Sequence, residues 1–425
     1  MSSRGPTMAT SARGAPPAIL KREPREMAEY AVATGEICRA FKPDDLVGIR
    51  RQFESFGGCI IDLLTQDECD ANISAMMRKV EEQPFKPEYK LRLYDSHDKR
   101  VRVGDAGFLQ LIKKPLSGKN KKALQRSSPP HRLFGASLLN WHTFWAIRQK
   151  PEAVAVGQAI LGQTNVRVMG NRGVEKQPSQ GMQEFPHWDV NMRTVDPRAP
   201  RQFFAGKVML THGSFIGMFG TQKPEFIEAY QQECFGPGGD YKHYSKKATK
   251  FTIDPLKDRR GIVGSAVKLV LKPGQWFIWD CLLGHGTNQL PADQPMQFAL
   301  YLSYRTAEWD PGYKDKCGID EKTDQIASYL TGVPPLLYQG SNDTAHHTPN
   351  NWTNFPASMA AFINKIQPGH PMITEKLCKA HNEMRPCIQY VPCETYRPFP
   401  LSDLGKKLIG IHEWAAAGSA PRALV

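Results

Sequence analysis

The apolar positions change period along this chain. In DDLVGIRRQFESFGG (44–58) they recur at helical spacing and stop at Gly57-Gly58, which predicts a helix. CIIDLL (59–64) is a short apolar run that suits a buried strand. Thr65 and Glu68 have the spacing of a capping box and predict a helix to about Glu82. PEAVAVGQAILG (151–162) predicts a helix ending at Gly162, and VRVMGN (166–171) a strand. Strands dominate from there: QFFAGKVMLT (202–211), AVKLVL (266–271), WFIWD (276–280) and QFALYLSYR (297–305). One helix, KPEFIEAYQQEC (223–234), interrupts them. Lys272-Pro-Gly-Gln275 is expected to close a hairpin, because Pro273 presets φ and Gly274 accepts a positive φ. Helices followed by short strands with tight turns predict an α+β chain with a mainly β core. The expected architecture is a double-stranded β-helix, or jelly roll, with a helical flank.

Composition sets the outer limits. The 425 residues are 40% hydrophobic and 10% aromatic, ample for a core. Residues 1–30 are rich in Ser, Ala, Pro and Arg without periodicity and read as a flexible leader. Residues 31–310 are expected to form the core domain. Residues 311–425 read as a loop-rich extension packed on it, with short helices near 320–331 and 356–366. No apolar run approaches the roughly 20 residues of a membrane span, so a soluble intracellular protein is expected, cytoplasmic in the simplest reading. The basic, hydroxylated leader raises organelle targeting; Glu23 and Glu26 count against it.

The nine cysteines are an odd number and suggest a reducing compartment rather than a disulfide framework. Cys378, His381, Cys387 and Cys393 cluster, but C-x2-H-x5-C-x5-C fits no common zinc module. The sequons at Asn342 and Asn351 match a pattern that is common by chance. Part of the net charge of +13 sits in Lys113, Lys114, Lys119, Lys121, Lys122 and Arg126. A solvated loop explains that cluster, as does attraction for an anionic substrate or a nucleic acid backbone. Helix-turn-helix, zinc-finger and RNA-binding signatures are absent, so nucleic acid is not the expected partner.

The chemistry concentrates in EFPHWDVN (184–191). Positions two apart on a strand share a face, so His187 and Asp189 would aim an imidazole and a carboxylate at one point. Much later, WFIWDCLLGHGTN sets His285 between two glycines. Two histidines and one carboxylate make the facial set that holds Fe(II) and leaves the remaining positions open for co-substrate and oxygen. Gly284 and Gly286 are expected to let the backbone turn sharply and approach the metal. Trp188, Phe185 and Trp279 could wall a substrate pocket, although at strand spacing core packing explains them as well. Cys281 reads as a buried thiol that packs as a small hydrophobe.

GQWFIWDCLLGHGTNQLPADQPMQFALYLSY resembles the end of the core in phytanoyl-CoA dioxygenase-like proteins. IRRQFESFGGCIIDLLTQDECD, FWAIRQKPEAVAVGQAILGQTNVRVMGNR and FAGKVMLTHGSFIGMFGTQKPEF resemble earlier pieces of that family in the same order, over roughly residues 45–305. The resemblance implies an Fe(II)- and 2-oxoglutarate-dependent oxygenase using O2 on a small or medium organic molecule, with His187, Asp189 and His285 as metal ligands. Halogenating relatives replace the carboxylate with a small residue. Asp189 therefore favours hydroxylation.

One position departs from the family. The arginine that anchors the far carboxylate of 2-oxoglutarate falls here on Gln297, which carries no charge. A neutral bond in place of a charge pair would cost roughly 1–3 kcal/mol of co-substrate binding. Three explanations stand. The alignment slips, leaving Arg305 as a poor substitute. Another cation serves: Lys207 first, by analogy with asparaginyl hydroxylases and Jumonji enzymes, then Arg172 or Arg193. Or the protein no longer uses 2-oxoglutarate and is a metal-holding binding protein. Thr287 fits a hydroxyl donor to the same carboxylate or an ordinary turn threonine. An oxygenase of nucleic acid bases is the remaining alternative, supported only by the charge.

Overall fold

The helices begin and end where their caps dictate. Asp45 accepts from the Gly48 N–H at the start of helix Leu46–Phe56, and Gly57 closes it at φ 75°. The Thr65–Glu68 box is reciprocal: Glu68 N donates to Thr65 Oγ1 (3.2 Å) and Thr65 N to Glu68 Oε2 (2.8 Å), opening helix Gln66–Glu82. Pro151 starts helix Pro151–Leu161, and Gly162 ends it in the left-handed conformation. Helix Pro224–Phe235 lies one residue on from its predicted span. Helices Ala106–Ile112, His142–Arg148 and Asp403–Ile409, each of seven residues, add to the predicted ones.

The structure is a computed structural model. It describes residues 30–82, 93–97, 99–102, 104–120, 122, 131–134, 142–169, 173–176, 184–246, 251–254, 257–258, 260–287, 290, 293–309, 322, 325–326, 329 and 399–414. The early strands are β1 (Ala31–Val32), β2 (Ala40–Phe41), β3 (Gly58–Asp62), β4 (Leu93–Tyr94), β5 (Arg100–Val101), β6 (His131–Phe134), β7 (Val166–Val168) and β8 (Gly173–Lys176). There follow β9 (Glu184–Trp188), β10 (Phe203–Met209), β11 (Gly213–Met218), β12 (Phe251–Thr252), β13 (Val267–Leu271), β14 (Gln275–Asp280), β15 (Gly284–Thr287), β16 (Gln297–Tyr301) and β17 (Tyr304–Thr306). The result is a mixed α+β, sheet-rich fold.

Two sheets dominate the described residues. One has six strands in the order β1-β13-β11-β15-β9-β12. The other has nine: β2-β3-β14-β10-β16-β8-β6, with β17 on β10 and β7 on β17. From β8 onward the chain crosses repeatedly between them: β9, β11, β12, β13 and β15 belong to the smaller sheet, and β8, β10, β14, β16 and β17 to the larger, so it stays in one sheet only from β11 to β13 and from β16 to β17.

This shuttling corrects one expectation. Pro273-Gly274 closes no hairpin, because β13 pairs with β11 and β1 while β14 pairs with β10 and β3. The turn crosses from sheet to sheet instead. Gly274, at φ 82°, donates to the Met209 carbonyl (2.7 Å) and accepts from the Leu63 and Leu64 N–H groups, both at 3.0 Å. A Cβ there would come within 2.0 Å of the Leu64 carbonyl oxygen. The strand expected over 297–305 also breaks, at Leu302-Ser303. There the Leu302 carbonyl accepts the Trp276 indole N–H (3.1 Å) and Ser303 Oγ accepts the Gly206 N–H (3.1 Å).

Strand alternation sorts the core into three clusters. Phe204, Val208, Trp276 and Ile278 leave the outer face of the larger sheet and pack under the helices with Ile49, Phe53, Val154 and Ile160. Met209, Phe277 and Trp279 leave its inner face and meet Phe215, Leu269 and Leu271 of the smaller sheet. Outside the smaller sheet, Trp188, Ile216 and Met218 pack against Ile227 and Tyr230 of helix Pro224–Phe235.

The remaining expectations find these places. Leu401, Leu408 and Ile409 join the helix-side core, and the Trp414 indole donates to the Val166 carbonyl (3.0 Å). Lys322, Gln325, Ile326 and Tyr329 are helical. In the basic segment Lys113 pairs with Asp70 and Lys119 sits over the Tyr94 ring at 4.1 Å. Among the described residues no helix is long and apolar enough to cross a membrane. The leader (1–29), the Cys378–Cys393 cluster, both sequons and the 356–366 segment lie outside the described residues.

Candidate metal centre

β9 and β15 are antiparallel neighbours, and their register sets His187 directly opposite His285. Directly opposed residues hold their Cβ atoms about 4.5–5.5 Å apart, so the two imidazoles meet across the ladder. Their ring centroids are 4.4 Å apart. Asp189 follows β9 on the His187 face, and its carboxylate straddles the pair. Oδ1 is 3.7 Å from His187 Nε2, and Oδ2 is 3.5 Å from His285 Nε2. Those separations are too long for hydrogen bonds.

The three groups converge on one volume. One ligand atom from each lies within 4.8 Å of the others. Two ligands about 2.1 Å from one ion at a right angle stand ~3 Å apart, so the three groups have to draw together to hold one. His285 is already oriented for it. Its Nδ1 lies 3.0 Å from the Leu283 carbonyl, which can only accept, so the proton sits on Nδ1 and the Nε2 lone pair faces Asp189. His187 and His285 are both buried, at 5% and 6% exposure, so an ion there would be shielded from bulk water.

A second layer holds the turn before His285. Asp280, 1% exposed, takes the Arg201 guanidinium through Nε (2.9 Å) and Nη2 (2.8 Å). Its other oxygen accepts the Leu282 N–H (2.9 Å). This clamp shapes residues 281–283 and so places the Leu283 carbonyl under the imidazole. One half of its signal, the Trp279-Asp280 pair shortly before His285, is visible in the sequence; the other half, Arg201, is not. Burial pushes the adjacent Cys281 thiol well above its ordinary pKa, which keeps it protonated and inert.

Gly284 serves a different purpose from the one expected. Its φ is not positive, and the turn lies ahead of it at residues 281–283, where Leu283 N donates to the Asp280 carbonyl (2.9 Å). A Cβ there would come 2.3 Å from Met218 Cε and 3.1 Å from the Trp188 ring. The glycine lets the outer packing approach the strand.

The inner walls come from both sheets. Phe215 stacks on His285 (5.5 Å, 14°) and meets Phe277 at 4.4 Å. Trp279 lies 5.3 Å from His285, stacks on Phe277 at 6.0 Å, and meets Tyr301 edge-on at 6.4 Å. Its Nε1 is buried without a hydrogen-bond partner, an arrangement that costs about 1–3 kcal/mol. Trp188 is fully buried on the outer side of β9 against Tyr230 (5.4 Å) and Phe251 (5.8 Å); its Nε1 is likewise without a partner, but it lies on the packing side, away from His285.

The candidate anchors separate. Lys207 is on the inner face of β10, opposite Phe277 on one side and Tyr301 on the other. Its Nζ reaches the Ser214 carbonyl of the facing sheet at 3.4 Å. Gln297 begins β16, four residues before Tyr301, about 14 Å along the strand. Its amide donates to the His212 carbonyl at 3.3 Å. Arg305 is buried, with Nη1 donating to the Thr306 and Trp309 carbonyls (both 3.0 Å), and Arg193 donates to the Tyr244 carbonyl. Arg172 lies outside the described residues, as do the side chains of Phe185 and Thr287.

No protein-family model and no curated protein matches this chain. Solved structures do match. The epimerase SnoN in complex with Fe3+, alpha ketoglutarate and nogalamycin RO is 11% identical at TM-score 0.39, covering 62% of this chain and 85% of its own. AviO1 from Streptomyces viridochromogenes is 12% identical at TM-score 0.38, covering 63% and 97%. The non-heme monooxygenase ThoJ is 13% identical at TM-score 0.36, covering 61% and 78%. Likenesses this distant assign no reaction, and the functional reading rests on the site itself.

Proposed function

We propose that this protein is a non-haem Fe(II)/2-oxoglutarate-dependent dioxygenase that hydroxylates a small or medium organic molecule. The observation that carries the reading is the convergence of His187, Asp189 and His285 at distances too long for mutual hydrogen bonds and close to those of ligands around one ion. The strand orders β13-β11-β15-β9 and β14-β10-β16-β8, with the chain changing sheets at each step from β8 to β16 except between β11 and β13, support a double-stranded β-helix around it. When bound, iron and 2-oxoglutarate supply the oxidant for C–H hydroxylation.

The chain's own groups do the rest. His285 presents Nε2 because Leu283 holds its other nitrogen. Phe215, Phe277 and Trp279 keep water from the inner face. We assign the far-carboxylate anchor to Lys207. It stands on the inner face, and its Nζ reaches the Ser214 carbonyl of the facing sheet at 3.4 Å. The Gln297 amide is instead engaged at the far end of β16. The same engagement of Gln297 supports a second reading, a metal-holding protein that has given up 2-oxoglutarate. The basic segment gives little support to a nucleic acid substrate, since Lys113 and Lys119 are both engaged within the fold.

One spectrum separates the readings. Anaerobic Fe(II) protein with 2-oxoglutarate is expected to develop the broad visible charge-transfer band of keto-acid chelation. The band should vanish in His187→Ala and weaken in Lys207→Ala. Iron binding without a band at saturating 2-oxoglutarate would establish the second reading instead.

A further inference from the structure

Resting on that reading, we propose that the Trp279 indole N–H is a ligand-binding group that donates a hydrogen bond to the co-substrate carboxylate held by Lys207. Three observations lead there. Trp279 is 3% exposed, and its Nε1 has no acceptor among the protein's own groups. Buried indole N–H groups ordinarily find one. The ring also stands between the two ends of the site: 5.3 Å from His285 on one side and 6.4 Å from Tyr301 on the other. Tyr301 is the register partner of Lys207, and Trp279, paired with Ala205, is the diagonal neighbour of Lys207 on the same inner face. A dicarboxylate reaching from the metal ligands to Lys207 therefore passes the indole. The Lys207 ammonium that would meet its far end now reaches the Ser214 carbonyl at 3.4 Å.

The Trp279 donor complements what Gln297 lacks. A lysine is a point charge and leaves a carboxylate free to swivel. A second, fixed donor from the neighbouring strand restores the two-point hold that a guanidinium would give. Trp279 is a positioning residue for the co-substrate, not a participant in bond breaking.

The test uses zinc(II)-loaded full-length protein and 2-oxoglutarate, so it does not depend on turnover. Calorimetry should show 2-oxoglutarate binding weakened about tenfold in Trp279→Phe. Zinc affinity should stay within about twofold, because the metal ligands are untouched. In protein labelled with 15N at its eight tryptophans, the indole crosspeak missing from Trp279→Phe should move downfield when 2-oxoglutarate is added to the wild type. Equal affinity in variant and wild type, or an unmoved crosspeak, overturns the proposal. Wild-type protein that binds zinc but not 2-oxoglutarate overturns the underlying reading as well. If Trp279→Phe does not fold, cobalt(II) in place of zinc identifies the indole beside His285 by its paramagnetic shift. The same titration then decides.

Discussion

The two faces of the six-stranded sheet are built from the same few residues and do opposite work. His187 and His285 point inward, and Phe215 joins them. Trp188 and Gly284, their immediate chain neighbours, meet Met218 on the outer side, where helix Pro224–Phe235 covers them. The inner face carries two imidazoles and a carboxylate that converge on one volume. The outer face is apolar and closely packed. Alternation along a strand thus lets one pentapeptide supply a binding site and the wedge that holds it. The sheet is rigid because of the residues that do no chemistry.

Substitutions can break this division. The largest effect is expected for His187→Ala or His285→Ala. Either should lower metal affinity by more than about 100-fold while circular dichroism stays native, since neither ring is a principal packing element. A loss of fold instead of affinity would mean that the inner face is structural. Next comes Trp188→Ala, expected to destabilise the protein by about 3–5 kcal/mol in urea unfolding while the folded fraction keeps its metal stoichiometry. Gly284→Ala sharpens the comparison. Its added methyl meets Met218 and the Trp188 ring from the inside of the wedge. The expected cost is about 1–3 kcal/mol, together with a small fall in metal affinity as β15 is pushed inward. A neutral Gly284→Ala would show that the outer packing yields more readily than its contacts suggest.

Much of this was legible in the sequence because the relevant rules are local. The spacing of His187 and Asp189 needs only the two-residue period of a strand. The Thr65–Glu68 box needs only four residues. What failed needed information from far along the chain. The Pro273-Gly274 turn has the residues of a hairpin, but those residues satisfy any turn with positive φ. Only the partners of β13 and β14 reveal that it passes between sheets. Gly284 suggests a sharp turn from the sequence because one of its outer neighbours, Met218, and the facing Trp188 lie far away along the chain. Trp279 read as wall or core with equal ease. Its approach to His285 depends on one sheet folding over the other. Composition marked the 113–126 segment as basic but could not reveal that Lys113 has Asp70 beside it.

The bond from Gln275 to Asp62 joins residues 213 positions apart, and β3 pairs along its whole length with β14. A chain emerging from the ribosome N-terminus first makes the strand GCIID early and leaves its β14 edge without a partner until Gln275–Asp280 has been synthesised. During that interval the adjacent helices Leu46–Phe56 and Gln66–Glu82 can form from local contacts, but the apolar strand between them stays exposed to other nascent chains. His285 follows β14 by only a few residues. The same late stretch of translation that covers β3 therefore also delivers His285, so a prematurely truncated chain lacks one of the three proposed ligands and leaves β3 adhesive.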